Sequence, residues 1–147
     1  DKNNFILVKD LKSGDNIVTY SDHKFPNDSN KTITKIKNVV CMYSKEGFSL
    51  NHLSNNHKIT DWHPIFIEGK WQFPAELDNK FPKSKSEYVY TLILESGHIV
   101  NIDGIPTICL GHNFEEGILK HEFFGTDKVV KEYKKYENEE GFINIKN

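Results

Sequence analysis

Short runs of β-branched and aromatic residues, separated by turns that contain glycine, recur along most of this chain. Branched and aromatic side chains fit the half-buried surface of a pleated sheet, so runs of this kind predict strands. Residues 128–136 instead space their apolar side chains at roughly helical intervals. We therefore expect an all-β domain that carries a short helical appendage near its C-terminus.

The predicted strands are runs rich in Ile, Val, Thr, Tyr and Phe, each bounded by residues that favour turns. They cover residues 5–8, 16–20, 32–43, 59–67, 71–73, 88–94, 98–102, 105–110 and 142–145. Glycine-containing turns predict a hairpin at residues 68–70, a second hairpin at 95–97, and tight turns at 45–47 and 103–104. Polar composition predicts surface loops at residues 21–31, 48–58 and 78–87.

Length and charge exclude several classes of protein. The 147 residues are 37% hydrophobic, which suits one domain with a real core. With a formal net charge of -2, the chain lacks the excess of basic residues that is typical of a nucleic-acid binder. No apolar run reaches the roughly 18 residues that span a bilayer, and no secretory signal pattern opens the chain. We expect no nucleic-acid partner and no membrane partner, and we favour the cytoplasm while the compartment stays open.

The two cysteines, Cys41 and Cys109, each lie within an apolar stretch. Cysteine in such a setting usually packs as a small hydrophobic residue, and a domain of this size needs no disulfide. We expect both thiols to pack in the core. The alternatives are a disulfide between them and a Cys109 thiol activated by His112, which follows three residues later.

Thr60 and His63 are the strongest candidates for chemistry because they lie just before a bend that Pro64 should cause. Pro64 pushes His63 toward extended geometry and removes a backbone donor, so the chain should bend there. Such a bend would turn the hydroxyl and the imidazole toward the same atom. Together they would suit chemistry on a backbone amide, one holding the carbonyl oxygen and the other serving the leaving nitrogen. The alternative is an ordinary strand with an exposed threonine and a capping histidine.

The other histidines fall into two groups. His52 and His57 lie in an asparagine-rich stretch that suggests a metal or HNH-type nuclease site, but no recognisable ligand spacing accompanies them. We therefore expect both to be solvated loop residues. His98 begins one predicted strand and His112 ends another, and side chains at strand ends commonly reach into a cleft.

Three stretches resemble the blocks of Hint domains, the self-processing module shared by inteins and hedgehog C-terminal domains. Residues 10–18, Asp-Leu-Lys-Ser-Gly-Asp-Asn-Ile-Val, resemble their opening motif, and residues 59–65 resemble the block that contains a T-x-x-H pair. Residues 88–104, followed by Gly111-His112-Asn113, are similar to their last two blocks. The closest similarity is to the Vint subgroup, through residues 71–74, 110–112 and 120–126.

This resemblance implies a fold, a reaction and a set of roles. The fold would be a horseshoe of bent β-hairpins with an internal pseudo-twofold over residues 1–126, and residues 127–147 would form a helical and irregular extension. The reaction would be an N-to-S acyl shift at an N-terminal cysteine, giving a thioester that another nucleophile resolves. Thr60 would polarise the carbonyl, His63 would protonate the departing amine, and His98 and His112 would complete the site. No cofactor or metal is implied.

The implied substrate is a fused upstream polypeptide, and von Willebrand A-type domains are the implied flanking partners. Two departures from the family pattern matter. The opening motif is preceded by Asp1 and a few residues rather than by a cysteine strand, and Asn113 is followed by Phe114 rather than by a nucleophile. Splicing through Asn113 is therefore not expected. The open alternatives are a truncated or inactive form, a non-catalytic scaffold that binds proteins, and a histidine-based metal or nuclease site.

Overall fold

The computed structural model describes residues 6–77 and 81–146. It confirms the all-β class, since the described residues form two sheets and one short α-helix. The strands are β1 (Asn16–Tyr20), β2 (Lys31–Ser54), β3 (His57–Thr60), β4 (Ile65–Ile67), β5 (Lys70–Gln72), β6 (Lys83–Leu94), β7 (Ile99–Ile102), β8 (Ile105–Ile108) and β9 (Phe142–Lys146). The helix α1 spans Asp127–Lys134, and 3₁₀ turns occupy Val8–Asp10, Asp28–Asn30, Pro74–Glu76 and Gly117–Leu119.

The first sheet is built around the long strand β2. Strands β1, β3 and β6 pair with β2 in antiparallel fashion, and β9 pairs with it in parallel. The tight turn predicted at residues 45–47 is wrong, because β2 continues through it with a register shift against β6 between Tyr43 and Phe48. Gly47, at a φ of +83°, lies within this bulge. Because β6 pairs with β2 on both sides of this bulge, the extra residues bend β2 instead of ending it.

The second sheet has the strand order β5, β4, β8, β7. Its β4–β5 and β7–β8 hairpins confirm the turns predicted at residues 68–70 and 103–104. The predicted hairpin between residues 88–94 and 98–102 is wrong, since β6 pairs with β2 and β7 pairs with β8. Leu92 and Leu94 of β6 are buried against Ile36 and Val39 of β2, which keeps β6 in the first sheet.

The predicted strand 59–67 is divided between the two sheets. Thr60 ends β3 in the first sheet, and Ile65 begins β4 in the second. Between them, the Asp61 carboxylate accepts hydrogen bonds from Asn51 Nδ2 at 2.8 Å and from Lys83 Nζ at 2.9 Å. These bonds hold the turn to the first sheet. Pro64 has no N–H to donate to that sheet, and the chain passes into the second sheet directly after it.

Three further expectations about local structure are corrected. Residues 48–54 and 57–58 belong to a hairpin of β2 and β3 rather than to a loop, and β6 begins at Lys83, inside the predicted loop 78–87. Val8–Asp10 forms a 3₁₀ turn, and Ile6 and Leu7 are 64% and 63% exposed, so these residues form no strand. Phe5 and residues 78–80 lie outside the described residues.

The C-terminal segment packs into the core. Val129 and Tyr133 of α1 are buried together with Val40 of β2 and Ile143 of β9. The helix begins at a threonine cap, since Thr126 Oγ1 accepts a hydrogen bond from the backbone N–H of Lys128 at 3.3 Å. The boundary after residue 126, the horseshoe shape and the pseudo-twofold stay predictions. Among the described residues, the single α-helix is far too short and polar to cross a bilayer.

Candidate functional site

His63 is held at the start of the β4–β8 pairing by a backbone carbonyl. Its Nε2 lies 2.7 Å from the carbonyl oxygen of Ile108, and the backbone N–H of Ile108 donates to Pro64 O at 3.2 Å. A carbonyl only accepts, so Nε2 carries the hydrogen and Nδ1 of the neutral ring carries the lone pair. Burial lowers the pKa of His63, and its bond to Ile108 offsets part of this effect. His63 is therefore a neutral base at pH 7, with a fixed tautomer.

Thr60 stands three residues earlier, at the last position of β3, and is half-buried. Its backbone pairs with Leu50 of β2, so its position is fixed by the first sheet and that of His63 by the second. None of the side-chain hydrogen bonds in the described part of the chain involves the Thr60 hydroxyl. That hydroxyl is therefore available to a ligand such as a carbonyl oxygen.

His57 is buried beside this region, which contradicts the expectation of a solvated residue. It is 1% exposed, and neither ring nitrogen has a hydrogen-bond partner among the described residues. The pKa of His57 is lowered to about 4, mainly by desolvation and to a smaller extent by positive charge on His63, and Asp103 opposes this shift. His52 is half-buried and lies in β2, where its Nε2 is 2.6 Å from Ser84 Oγ, so it too is not a solvated loop residue.

His98 and His112 meet around the ring of Phe114. The Phe114 ring is 5.0 Å from the His112 ring, nearly parallel to it, and 6.2 Å from the His98 ring, edge to face. His23 stacks on Phe114 at 3.8 Å, and its Nε2 lies 3.0 Å from Glu116 Oε2. A residue of the predicted loop 21–31 thereby joins this imidazole cluster.

The backbone that follows His112 is hydrogen-bonded to its ring. The Phe114 backbone N–H donates to Nδ1 at 2.8 Å, so Nε2 carries the hydrogen of the neutral ring. The pKa of His112 is lowered to about 4, mainly by desolvation and to a smaller extent by positive charge on nearby His98. Gly125 fits against this ring, since a Cβ there would lie 3.1 Å from it and 2.9 Å from His121 O.

His98 and Asn113 both adopt left-handed backbone conformations, with φ of +59° and +61°. Such a conformation costs about 1–2 kcal/mol for a residue other than glycine, and it is found disproportionately at functional sites. Burial lowers the pKa of His98, and Asp127 partly opposes this. Both residues line a cleft of about 440 Å³ together with Lys37, Glu95 and Asp127. The Asn113 amide donates to Asp127 Oδ1 at 3.1 Å.

Strand β8 separates the four predicted site residues into two groups. His63 and Pro64 bond the Ile108 backbone on the β4 side, while the Cys109 N–H donates to His98 O at 2.9 Å on the β7 side. Neighbouring strands lie about 4.8 Å apart, so the backbones of β4 and β7 lie about 10 Å apart across β8. His98 and His112 come together, whereas His63 lies on the β4 side of β8 and Thr60 precedes it at the end of β3.

The two thiols do not suit nucleophilic chemistry. Cys41 and Cys109 are unpaired and buried, with exposed fractions of 5% and 3%. Burial raises the pKa of both thiols, and contact with Tyr90 offsets part of the shift for Cys41. Within residues 6–77 and 81–146, no group of three or more His, Cys, Asp or Glu side chains is arranged to hold a metal ion.

Sequence reasoning missed His23, Phe114 and Glu116, and it misplaced His57. For His57 a signal existed, because His57-Lys58-Ile59 alternates and the structure buries the first and third residues while exposing Lys58. His23 carries no such signal, since its partners are more than 90 residues away in the chain.

A protein-family model described as Vint, Hint-domain, matches residues 1–147 of the chain. No curated protein matches the chain.

Proposed function

Because the chain belongs to the Vint family of Hint domains, we propose that it is a self-processing module that breaks the peptide bond joining it to an upstream polypeptide. The family match supports self-processing in general. The observation that carries the mechanism is the His63 imidazole, bound to Ile108 O through Nε2 with Nδ1 left as a base. In our proposal, von Willebrand A-type domains are among the flanking partners.

The proposed step is an N-to-S acyl shift. A thiol sulfur attacks the carbonyl carbon of the upstream peptide bond, and the new C–S bond replaces the C–N bond. His63 Nδ1 takes the thiol proton and returns it to the departing amine nitrogen, so no proton is gained or lost overall. A neutral ring with a lowered pKa suits both tasks, because it gives the proton back readily once it has accepted it.

Thr60 supplies the second element of the mechanism. Its hydroxyl donates to the carbonyl oxygen, where negative charge develops as the sulfur attacks. His98 and His112 act at a distance in this proposal: His98 O anchors the Cys109 N–H at the end of β8, and the His112 ring braces the following turn. They thereby keep Ile108, and with it His63, in place.

The attacking thiol does not come from Cys41 or Cys109, since both are buried with raised pKa values. We propose that it belongs to a cysteine-bearing segment ahead of the opening motif, where the family resemblance puts it. That segment would bring the scissile bond to His63 Nδ1 and the Thr60 hydroxyl. The thioester is then open to resolution by a second nucleophile.

The test is the intact mass of a fusion protein in which a folded reporter and a cysteine-bearing segment precede the chain. We expect the reporter to be released with time, and an added thiol to speed release and appear on the reporter as a C-terminal thioester. The matched control replaces only the added cysteine with alanine and should keep its full mass. If the parent fusion also keeps its full mass in thiol, the proposal is wrong.

The burial of both native thiols favours a second candidate, a catalytically silent Hint scaffold that binds protein partners. This candidate predicts that the fusion with the added cysteine stays intact and well folded. The same mass measurement, read beside a thermal melt of the fusion, therefore separates the two candidates.

A further inference from the structure

Asn51 is a buried amide within the first sheet. It lies in β2 directly opposite Ile59 of β3, and it is 2% exposed. Asparagine is uncommon inside strands, and a buried amide destabilises a fold unless its polar atoms are hydrogen-bonded. An aliphatic residue would fill the position without that requirement. The amide therefore calls for an explanation other than packing.

The hydrogen bonds of Asn51 supply one. Its Nδ2 donates to the backbone carbonyl of Ile59 at 3.2 Å and to Asp61 Oδ1 at 2.8 Å. An amide nitrogen carries two hydrogens, so both donors of this side chain are in use. The two acceptors belong to the residues immediately before and after Thr60. One buried side chain thereby holds the chain on each side of Thr60.

This hold matters because the regular pairing of β3 stops at Thr60. Leu50 and Thr60 form the last pair of the β2–β3 ladder, and Asp61 lies beyond it. The Asp61 carbonyl accepts from the Ala75 N–H at 3.0 Å, and Lys83 Nζ donates to Asp61 Oδ1 at 2.9 Å. The Lys83 side chain is 51% exposed, and exposed ion pairs stabilise little. Among these attachments, the buried amide also holds the residue before Thr60.

We propose that Asn51 is a positioning residue, which fixes the backbone of Thr60 so that the Thr60 hydroxyl faces the scissile carbonyl. This inference rests on the proposed role of Thr60. Ile59 and Thr60 are successive strand residues, so their side chains leave β3 on opposite faces, and Asn51 acts on the hydroxyl only through the backbone.

A carbonyl contact of this kind tolerates little misplacement. A donor stabilises the developing oxyanion when it lies about 2.7–3.1 Å from it. The Thr60 hydroxyl has no side-chain hydrogen bond of its own in the described part of the chain, so its direction depends on the backbone that carries it. A strand end that frays would bring the hydroxyl into range for only part of the time.

The first arm of the test is the backbone order parameter of Thr60, measured by NMR relaxation in the chain itself, which needs no cleavage. We expect about 0.85 in the parent and less than about 0.6 in Asn51→Leu, because a rigid strand end becomes mobile. Asn38→Leu is the matched control. Asn38 is also buried in β2, 3% exposed, and its amide likewise bonds two groups, the Glu137 carboxylate and the Gly141 carbonyl. This variant should leave Thr60 rigid.

The second arm is the rate of reporter release from the fusion protein, at a temperature below all the melts. Asn51→Leu should slow release about tenfold, as Thr60→Val should, because each loses the contribution of the hydroxyl. In a fusion that already carries Thr60→Val, Asn51→Leu should slow release no further. A purely structural role predicts the same slowing in both backgrounds or none in either, and each of those results would overturn the inference.

Variants of Asp61 test the same contact from its more exposed end, in case Asn51→Leu does not fold. Asp61→Asn keeps an oxygen acceptor for the amide and should keep Thr60 rigid, whereas Asp61→Ala removes the acceptor and should lower the order parameter. Lys83→Met removes only the exposed ion pair and should leave Thr60 unchanged. Equal order parameters in Asp61→Ala and Asp61→Asn would contradict the proposed role.

The two arms separate this inference from the proposed function. A parent fusion that never cleaves overturns the proposed function, and the NMR arm still decides whether Asn51 holds Thr60. An order parameter of Thr60 that is the same in folded Asn51→Leu and in Asn38→Leu overturns the inference, even in a fusion that cleaves well.

Discussion

Strand β8 has an imidazole on each side, the buried ring of His112 and the half-buried ring of His63, and the two differ in the hydrogen bonds of their nitrogens. On the β7 side, the lone pair of His112 Nδ1 accepts a hydrogen bond from the Phe114 backbone N–H. On the β4 side, His63 uses one nitrogen for Ile108 O and keeps the lone pair on the other. A ring whose lone pair is already hydrogen-bonded stabilises a turn, but it takes up a proton only by giving up that bond. Because of this difference, we propose proton transfer for His63 and structural support for His112.

The sharpest test of this comparison replaces each of the two histidines in turn with alanine. His63→Ala should slow reporter release from the fusion at least about 100-fold, as expected for the loss of a general acid and base. Its melting temperature should stay near that of the parent, since a half-buried side chain with one hydrogen bond contributes modestly to stability.

His112→Ala should show the reverse pattern. Release should slow less than in His63→Ala, whereas the melt should fall clearly, because the turn after β8 loses its brace and a buried ring is removed. Equal rates in His63→Ala and the parent would remove the imidazole from the mechanism. A larger rate loss in His112→Ala at unchanged stability would invert the assignment of roles.

Much of the secondary structure was open to prediction from sequence, because it depends on local signals. Most strand runs, the turn at residues 103–104 and the helical spacing of Val129, Val130 and Tyr133 are local signals, and the structure has them, whereas the run at residues 6–8 forms no strand. The division of residues 59–67 between two sheets was not predictable, since it depends on Asn51 and Lys83 binding the Asp61 carboxylate across strands. Long-range pairing decides the site, and a single sequence does not encode it locally.

Acid should weaken the fold through the histidines that are buried without charge. His57 and His112 have pKa values of about 4 in the folded chain against 6.5 when unperturbed. The unfolded chain therefore takes up protons that the folded chain refuses as pH falls from about 6.5 to about 4, and stability is lost over that interval. Each group accounts for up to about 3 kcal/mol of the loss. Above pH 6.5 neither contributes.

Urea unfolding at pH 7.5, 5.5 and 4.5 measures this loss in the free energy of unfolding. His57→Leu should flatten the pH dependence, because leucine takes up no proton in the unfolded state. Ile59→Leu, on the same face of β3, is the matched control and should keep the parent slope, because it changes no titratable group. An equally steep decline in His57→Leu would show that His57 is not among the groups responsible.

The β7 side also depends on a close approach at Gly97, just before His98. Gly97 has a φ of +74°, and a Cβ there would come within 2.3 Å of Oγ1 of Thr19, which is fully buried in β1. Gly97→Ala should therefore destabilise the fold by about 2 kcal/mol or more through overpacking and backbone strain. Gly69→Ala, with φ +79° and no atom within 4 Å, is the matched control for strain alone. Similar losses in both variants would exclude the packing contribution at Thr19.

Thr60 provides the smallest expected effect and the finest test of the β4 side. Thr60→Ala removes one neutral hydroxyl from the proposed carbonyl site, so release should slow about tenfold, the value of one hydrogen bond of this kind. Thr60→Ser keeps the hydroxyl and should restore most of the rate, whereas Thr60→Val keeps the shape and should behave like alanine. Release rates and melts of all three variants in the fusion measure this directly. Because Thr60 ends β3 while His63 precedes β4, a loss confined to the variants without a hydroxyl would mean that the two sheets contribute separate groups to one reaction. Equal rates in Thr60→Val and Thr60→Ser would instead leave His63 as the catalytic group on that side.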